Sequence, residues 1–386
     1  MTRARSIAVV SVSRSDYGHL LPVLEAIRAA DDLVLRLVVG GMHLAPEFGH
    51  TVRAIEADGW AIDERVEMLE PDDVPEAVGA AIGRGVTGFA RAWARLAPDL
   101  VLVLGDRFEM LAAAVAALPF ALPVAHVHGG EVTEGAIDNQ IRHAITKLAH
   151  LHFASAAPHA RRLLAMGEEA WRVHTVGAPG LDRLARVEPM SREALATTLG
   201  VPSAARWLLV TYHPVTLEYG EATTQVDEVL AALEKVDATP ILTAPAADTA
   251  GRSVLRRLEE FVARQPRARL VPSLGERAYL SLLHHADAMV GNSSSGLIEA
   301  PSFALPAVNV GSRQDGRLRG DNVLDVPPER EAILHALETA LAPGFREGLR
   351  GRPNPYGDGR AAPRIVRVLR ETPLGDALVR KKAVDA

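Results

Sequence analysis

The sequence predicts an α/β protein of two doubly wound domains, and three observations carry that prediction. Short apolar runs recur along the chain, each followed by a polar or glycine-rich loop and then a helix-period pattern, which is the rhythm of a parallel sheet. Two successive sets of such units follow one another. At 386 residues the chain also exceeds the roughly 250–300 residues at which a single core stops growing.

The strands of the first set are "SIAVVSVS", "LVLRLVVGG", "DLVLVLG", "PVAHVHG" and "LHFAS". Those of the second are "RWLLVTYH", "PILTAPA", "ARLVPS", "DAMVGN" and "PAVNVG". Helices such as "GHLLPVLEAIRAA", "FEMLAAAVAAL" and "RAYLSLLHHA" lie between them. Glycine and proline punctuate the stretch "VGAPGLDRLARVEPMSREALATTLGVPSAAR", where no buried strand is visible, so the boundary is expected between 177 and 200. This gives one domain over 1–180 and a second over 181–386, with the final helix "RAAPRIVRVLRETP" closing the second domain or returning to the first.

Composition narrows the function classes. Hydrophobic residues at 48% and charged residues at 23% describe a folded, soluble chain. A formal charge of -6 argues against a general nucleic-acid or membrane-surface binder, while leaving local arginine clusters free to grip an anionic small molecule. With no cysteine, disulfides, thiolate zinc sites and cysteine nucleophiles are all excluded. The apolar run near the N-terminus is short and ends in Arg14 and Asp16, which suits a first strand better than a signal peptide. The longest uncharged run, from Met110, is cut by Pro119 and Pro123 into helix, turn and strand. A cytoplasmic protein is expected.

Open parallel sheets bind ligands beyond the carboxyl ends of their strands, so the segments after each strand are the first candidates. "GNSSSGLIEAPS" (291–302) follows a strand and opens a helix-like stretch. Its small residues, hydroxyls and free N–H groups suit a phosphate, or simply a serine cap. It is neither a P-loop nor a nucleophile elbow. Arg14, Arg107 and Arg313 each come directly after a strand, in "SRSDYG", "GDRFE" and "GSRQDG", and together suit a diphosphate. "GRGVTG" (83–88) has the letters of a dinucleotide fingerprint but follows a helix-like segment and is set aside.

The stretch "HVHGGEVTEGAIDNQIRHAITK" (126–147) is the densest in chemistry. Ile137, Ile141, Ile145 and Leu148 share one helical face, with Asp138 in the first turn, favouring the helix dipole or pairing with Arg142. Zinc bound by His126, His128 and His143 is the lesser reading, because no His-Glu-x-x-His spacing occurs; His150 and His152 read as structural. The carboxylates lead further. Asp106 and Glu131 follow adjacent strands and Asp138 sits just beyond, so three acids would line one crevice. Such crowding splits pKa values into the acid and base roles that proton transfer needs. His213, in "TYHPVT", would face them from the second domain.

With these residues in hand, the sequence resembles the hydrolysing UDP-N-acetylglucosamine 2-epimerases of bacterial sialic-acid-type sugar biosynthesis. The resemblance runs in order through "SRSDYG", "VLGDRFE", the long stretch from His126, "TYHPVT", "GNSSSGLIEAPS", "GSRQDGRLRG" and "NPYGDG". It implies two Rossmann-like domains in the glycosyltransferase-B arrangement, with a nucleotide sugar in the cleft between them. Asp106, Glu131 and Asp138 would then be the acid/base carboxylates, with His213 a motif histidine. Arg14, Arg107, Ser293, Ser294, Glu299 and Arg313 would bind the nucleotide. Related enzymes carry a glutamate where this chain has His128, and here the acid comes three residues later as Glu131, so both belong to the candidate set.

The chemistry implied is elimination of UDP across C1 and C2, hydration of the glycal, and reprotonation of C2 on the opposite face, releasing N-acetylmannosamine. The path calls for no redox cofactor and no metal. A UDP-2,4-diacetamido-2,4,6-trideoxyhexose of legionaminic-acid synthesis is the alternative substrate, and a glycosyltransferase-B-type transferase the alternative of another class. Neither nucleic acid nor membrane is an expected partner; the resemblance implies a homodimer or homotetramer.

Overall fold

Strands buried on both faces must be apolar throughout. The ten apolar runs read from the sequence all form strands of two all-parallel sheets, nine of them interior and "ARLVPS" at an edge, in the computed structural model, which describes residues 3–46, 49–69, 75–134, 137–184, 186–245, 251–271, 274–382 and 384. Residue 246 of "PILTAPA", 272–273 of "ARLVPS", 135–136 of the long stretch and 185 of the expected linker lie outside the described residues. One sheet belongs to a unit made of Met1–Arg183 with Tyr356–Ala386, the other to a unit spanning Leu184–Pro355.

In the first unit the strands are β1 (Arg5–Ser11), β2 (Leu33–Gly40), β3 (Glu64–Val66), β4 (Leu100–Leu104), β5 (Val124–Val127), β6 (Leu151–Ala154) and β7 (Val173–Thr175), in the order β3-β2-β1-β4-β5-β6-β7. The second unit has β8 (Trp207–Thr211), β9 (Thr239–Thr243), β10 (Arg269–Val271), β11 (Ala288–Gly291), β12 (Ala307–Val310) and β13 (Val323–Val326), in the order β10-β9-β8-β11-β12-β13. Each sheet therefore reverses its direction of winding beside its first strand, between β1 and β4 and between β8 and β11. Those reversals open the crevices in which doubly wound sheets hold ligands.

Three strands escaped the sequence reading: β3, β7 and β13. Each is an edge strand of three or four residues with partly exposed positions, so none carries a continuous apolar signal. The helix expected from Gly18 begins earlier, at Arg14, because Ser13 caps it by accepting the N–H of Asp16 at 3.3 Å. "GRGVTG" lies inside the helix Pro75–Leu96, and its glycines serve packing. A Cβ on Gly88 would sit 2.6 Å from Val66 Cγ1, and one on Gly85 3.0 Å from Ala112 Cβ. The helix thus approaches β3 and the helix Phe108–Ala117 more closely than any side chain allows. The uncharged run from Met110 resolves into that helix, a 3-10 turn (Leu118–Phe120) and β5. Among the described residues no helix is long and apolar enough to cross a membrane.

The helix Ala361–Glu371 folds with the first unit. Asp182 accepts the N–H groups of Ala361 and Ala362 at 2.8 and 2.7 Å, which caps that helix, and its buried Ile365, Val366 and Leu369 join the core beneath the helix Arg14–Arg28.

Candidate active site

In the first unit, the segments leaving β1, β4 and β5 carry the polar groups. Gly105 turns the chain out of β4 at φ 75° and presents Asp106 and Arg107. Asp106 forms an ion pair with Arg142, whose side chain is 4% exposed and also donates to Thr133 Oγ1 at 3.1 Å. Arg142 projects from the helix Asp138–Leu148, so that helix delivers both a cation to Asp106 and, in its first turn, Asp138. The dipole position of Asp138 is as read from the sequence, whereas the carboxylate found at Arg142 is that of Asp106.

Arg107 stands at the N-cap of Phe108–Ala117, and its guanidinium donates to the fully buried Glu109 at 2.9 Å. Burial opposes its charge, but Glu109, Asp16 and Asp138 together outweigh burial and hold its pKa above the ordinary value. Asp16 is buried in the first turn of Arg14–Arg28. Desolvation pushes its carboxyl up to about 6, against the lowering pull of Arg107 and of the Ser13 hydrogen bond. Arg14 itself is helical and exposed, not part of a loop beside Arg107. The three arginines therefore do not form the matched set of strand-end loop cations expected from the sequence.

His128 follows β5 with φ 65°, a left-handed backbone that costs a non-glycine residue about 1–2 kcal/mol. The turn aims its Nδ1 at Glu131, donating to Oε1 at 2.6 Å; Ser155 Oγ donates to the same oxygen at 2.5 Å and also meets His159 Nδ1 at 2.9 Å. Burial would raise the Glu131 pKa, yet the charge and hydrogen bond of His128, with His159 and Ser155 behind, hold it well below the usual carboxylate range. His128 Nε2 has no hydrogen-bond partner among the described residues, and the ring meets His19 edge-on, centroids 6.2 Å apart.

The zinc reading is not realised. His126 is fully buried, with Nε2 2.7 Å from Gly105 O and Nδ1 3.4 Å from Thr146 Oγ1; burial lowers its pKa to about 3, so it is a neutral strut beneath the Asp106 turn. Among the described residues no group of three or more histidines and acids is placed to hold a metal ion. His150 accepts the N–H of Val124 at 3.1 Å and His152 meets Glu168 at 3.0 Å, both in structural roles. The Gly129–Gly130 step is explained by packing. A Cβ on Gly130 would lie 2.4 Å from His159 O, and one on Gly129 3.0 Å from His126 Nδ1.

In the second unit, His213 leaves β8 and Asn292 leaves β11, at that sheet's switch point. Asn292 Oδ1 accepts the His213 N–H at 2.7 Å while its Nδ2 donates to His213 O at 2.8 Å, which clamps the two loops together. Asn292 O in turn accepts from Arg313 Nη1 at 3.0 Å and Gln314 Nε2 at 2.7 Å. Burial, then Arg313, lowers the His213 pKa to about 4. Ser293 and Ser294 are partly exposed and precede a helix of a single turn, Ser295–Ile298, followed by Glu299 and a 3-10 turn. Sequence reasoning did not single out Asp16, Glu109, Ser155, His159, Asn292 or Gln314. Only the i,i+4 spacing of Arg142 from Asp138 marked any of the partners in advance.

Two doubly wound units of this kind define a known two-domain α/β class. Over 95% of this chain and 100% of the other, the fold matches that of a UDP-GlcNAc 2-epimerase from Neisseria meningitidis bound to UDP-GlcNAc, with a TM-score of 0.82 at 17% identity. A Methanocaldococcus jannaschii UDP-GlcNAc 2-epimerase in complex with UDP-GlcNAc and UDP gives 0.77 at 17% identity, over 95% of this chain and 100% of that one. Within the class, the chain belongs to the UDP-N-acetylglucosamine 2-epimerase family, whose model matches residues 25–370. It is 37% identical to the UDP-N,N'-diacetylbacillosamine 2-epimerase (hydrolyzing) of Legionella pneumophila over 98% of both chains. To the UDP-N-acetylglucosamine 2-epimerase of Neisseria meningitidis serogroup B it is 33% identical, over 88% of both.

Proposed function

We propose that this protein is a hydrolysing 2-epimerase of a UDP-linked 2-acetamido sugar, and that its substrate is the 2,4-diacetamido-2,4,6-trideoxy sugar. The observation that carries the reaction class is the acid-bearing end of β4 and β5. There, neighbouring strands present Asp106 with its buried cation and His128 with its half-buried carboxylate. A transferase of the same fold would need a single base, for its acceptor hydroxyl, whereas inversion at C2 needs groups that both take and return a proton there. The substrate choice rests on the 37% and 36% identity to the diacetylbacillosamine enzymes of Legionella pneumophila and Campylobacter jejuni. UDP-N-acetylglucosamine is the second reading, favoured by the 33% identity to the Neisseria meningitidis enzyme.

In this mechanism the C2–H proton passes to a base of the first unit while the C1–O bond to UDP breaks, giving a 1,2-glycal and UDP. Water then adds its hydroxyl to C1, and a proton is delivered to the opposite face of C2, so one water is consumed and the free 2-epimer is released. His128, with Nε2 open, and Asp138 are the groups assigned to C2. Glu131 orients His128 through Nδ1, and the Asp106–Arg142 pair supplies a fixed field. Ser293 and Ser294, with Arg313 behind them, are assigned to the departing diphosphate. Arg14, Arg107 and Glu299 complete the proposed nucleotide-binding set, and His213 stays neutral near its diphosphate.

The test is incubation of each UDP-sugar in deuterated water. Free 2-epimerised sugar plus UDP, with deuterium at C2, is expected, with kcat/KM at least tenfold higher for the diacetamido substrate. Release of UDP only when a sugar acceptor is added would replace epimerisation with transfer, and a preference for UDP-N-acetylglucosamine would overturn the substrate choice alone.

A further inference from the structure

The structure places a basic groove in the second unit, at the end of the sheet opposite to the His213 and Asn292 loops. Asp287 immediately precedes β11 and Phe303 and Ala304 shortly precede β12, so the groove opens at the amino ends of these strands. Its volume is about 720 Å³, within the range of small-molecule sites. Four arginines line it, Arg192, Arg346, Arg350 and Arg352, with His284 and His285 beside them and Asp287 as the lining acid.

Two of the guanidiniums are rigidly placed. Arg192 donates to Ser203 O, His285 O and Ala205 O and lies 4.0 Å above the Trp207 ring. Arg346 donates to Ala286 O, His284 O and Phe303 O. These carbonyls supply partial charge and leave the formal positive charge in place. Asp287 is already engaged, accepting the Trp207 N–H at 2.8 Å and lying 3.7 Å from Arg192. Arg352 has a long contact with Asp321 at 3.6 Å, whereas the Arg350 guanidinium and both His284 nitrogens have no hydrogen-bond partner among the described residues. The crowding is felt within the groove: after burial and against Asp287, Arg350 and Arg192 press the Arg346 pKa below its ordinary value.

A chain of net charge -6 that gathers four arginines around one concavity, two of them immobilised, has a preformed receptor for negative charge. We propose that this groove binds a small polyanion carrying phosphate or carboxylate groups. Arg350 and His284 supply the free donors, and Arg192 and Arg346 the fixed field. The site is separate from the loops assigned to the UDP-sugar, and its occupancy does not depend on the reaction catalysed.

The experiment is calorimetry on the full-length protein saturated with UDP, so that the nucleotide loops are filled, using inorganic pyrophosphate and, in parallel, citrate as probes. One further equivalent of anion is expected to bind, more weakly as salt is raised. Arg350→Ser with Arg352→Ser, both exposed, should weaken binding at least tenfold and leave turnover unchanged. His284→Asn should weaken it severalfold. Binding of pyrophosphate alone assigns the site to phosphates, and binding of citrate alone to carboxylates. Absence of binding to the UDP-saturated protein, equal binding by the double variant, or a response only to an acidic polymer such as heparin would overturn the proposal.

Discussion

Replacing His128 by asparagine separates the proton-carrying role of its ring from its structural one. The backbone at φ 65° favours asparagine among non-glycine residues, so the substitution adds no strain. The amide nitrogen of asparagine stands two bonds beyond Cβ, as Nδ1 does in histidine, so the 2.6 Å donation to Glu131 has a replacement donor. The folding free energy should then change by less than about 1 kcal/mol. What disappears is Nε2, and a general acid/base group is worth about 10²–10⁴ in rate, or about 3–5 kcal/mol of barrier. Chemical denaturation, UDP titration and UDP-release kinetics read the three quantities. Near-native stability and UDP affinity with turnover down at least a hundredfold is the expected pattern. Turnover within about threefold of the parent would refute the assignment of His128 as a proton carrier, and a stability loss beyond about 3 kcal/mol would make it a packing residue.

Asp16→Asn should alter the pH dependence of stability. A carboxyl pushed by burial from its ordinary pKa of 3.8 up to about 6 favours the folded state while protonated, and loses that contribution as pH rises from about 4 through 6. The difference between parent and variant should shift by about 3 kcal/mol between pH 4 and pH 8 in denaturation curves; a constant difference would show that the carboxyl titrates normally. His43 and His126, lowered by burial to about 4 and about 3, act in the opposite sense. Their contribution is present above pH 6.5 and is lost as pH falls below it, and His43→Asn should reduce that acid sensitivity. Arg142→Leu should cost about 2 kcal/mol and most of the turnover, because it strands a half-buried Asp106 without its cation; retention of both would dissociate the pair from function. Gly291→Ala should cost more than about 3 kcal/mol or abolish folding, since its Cβ would lie 1.9 Å from Thr211 O. Gly79→Ala, in an exposed helical position with nothing within 4 Å, should stabilise by up to about 1 kcal/mol in the same assay.

The central strands were legible because burial on both faces favours a continuous apolar run, as in β4 (LVLVL), β8 (WLLVT) and the middle of β1 (IAVV). The edge strand Glu64–Val66 was not, because three residues with two partly or fully exposed look like loop. The strand-end rule singled out Asp106, Glu131, His213 and Ser293, and each does follow a central strand, β4, β5, β8 or β11. It missed their partners because pairing is a tertiary fact: Arg142 lies 36 residues from Asp106, Ser155 24 from Glu131 and Asn292 79 from His213. Arg14 stands in a helix and not in the expected loop for a local reason, since a serine cap one residue earlier makes it the first residue of that helix.

Crowded carboxylates were expected to divide acid and base roles by mutual repulsion, and the arrangement found divides them by pairing instead. Asp106 has Arg142, Glu109 has Arg107, and Glu131 has His128 with Ser155 in support. In Glu131, despite burial, the pairing holds the pKa well below the usual carboxylate range, so it carries a proton poorly. Asp16 beside these pairs is pushed upward mainly by burial, and its depth keeps it from meeting a substrate directly. Inversion at C2 by the proposed route needs two groups able to gain and lose a proton on opposite faces of the sugar. Among the first unit's candidates, His128 keeps an open Nε2 and Asp138 makes no ion pair among the described residues, although it adds to the field on Arg107. In the proposed route the pairs around them act as fixed charges that orient the His128 imidazole, while its open Nε2 and Asp138 are the groups proposed to exchange protons with the substrate.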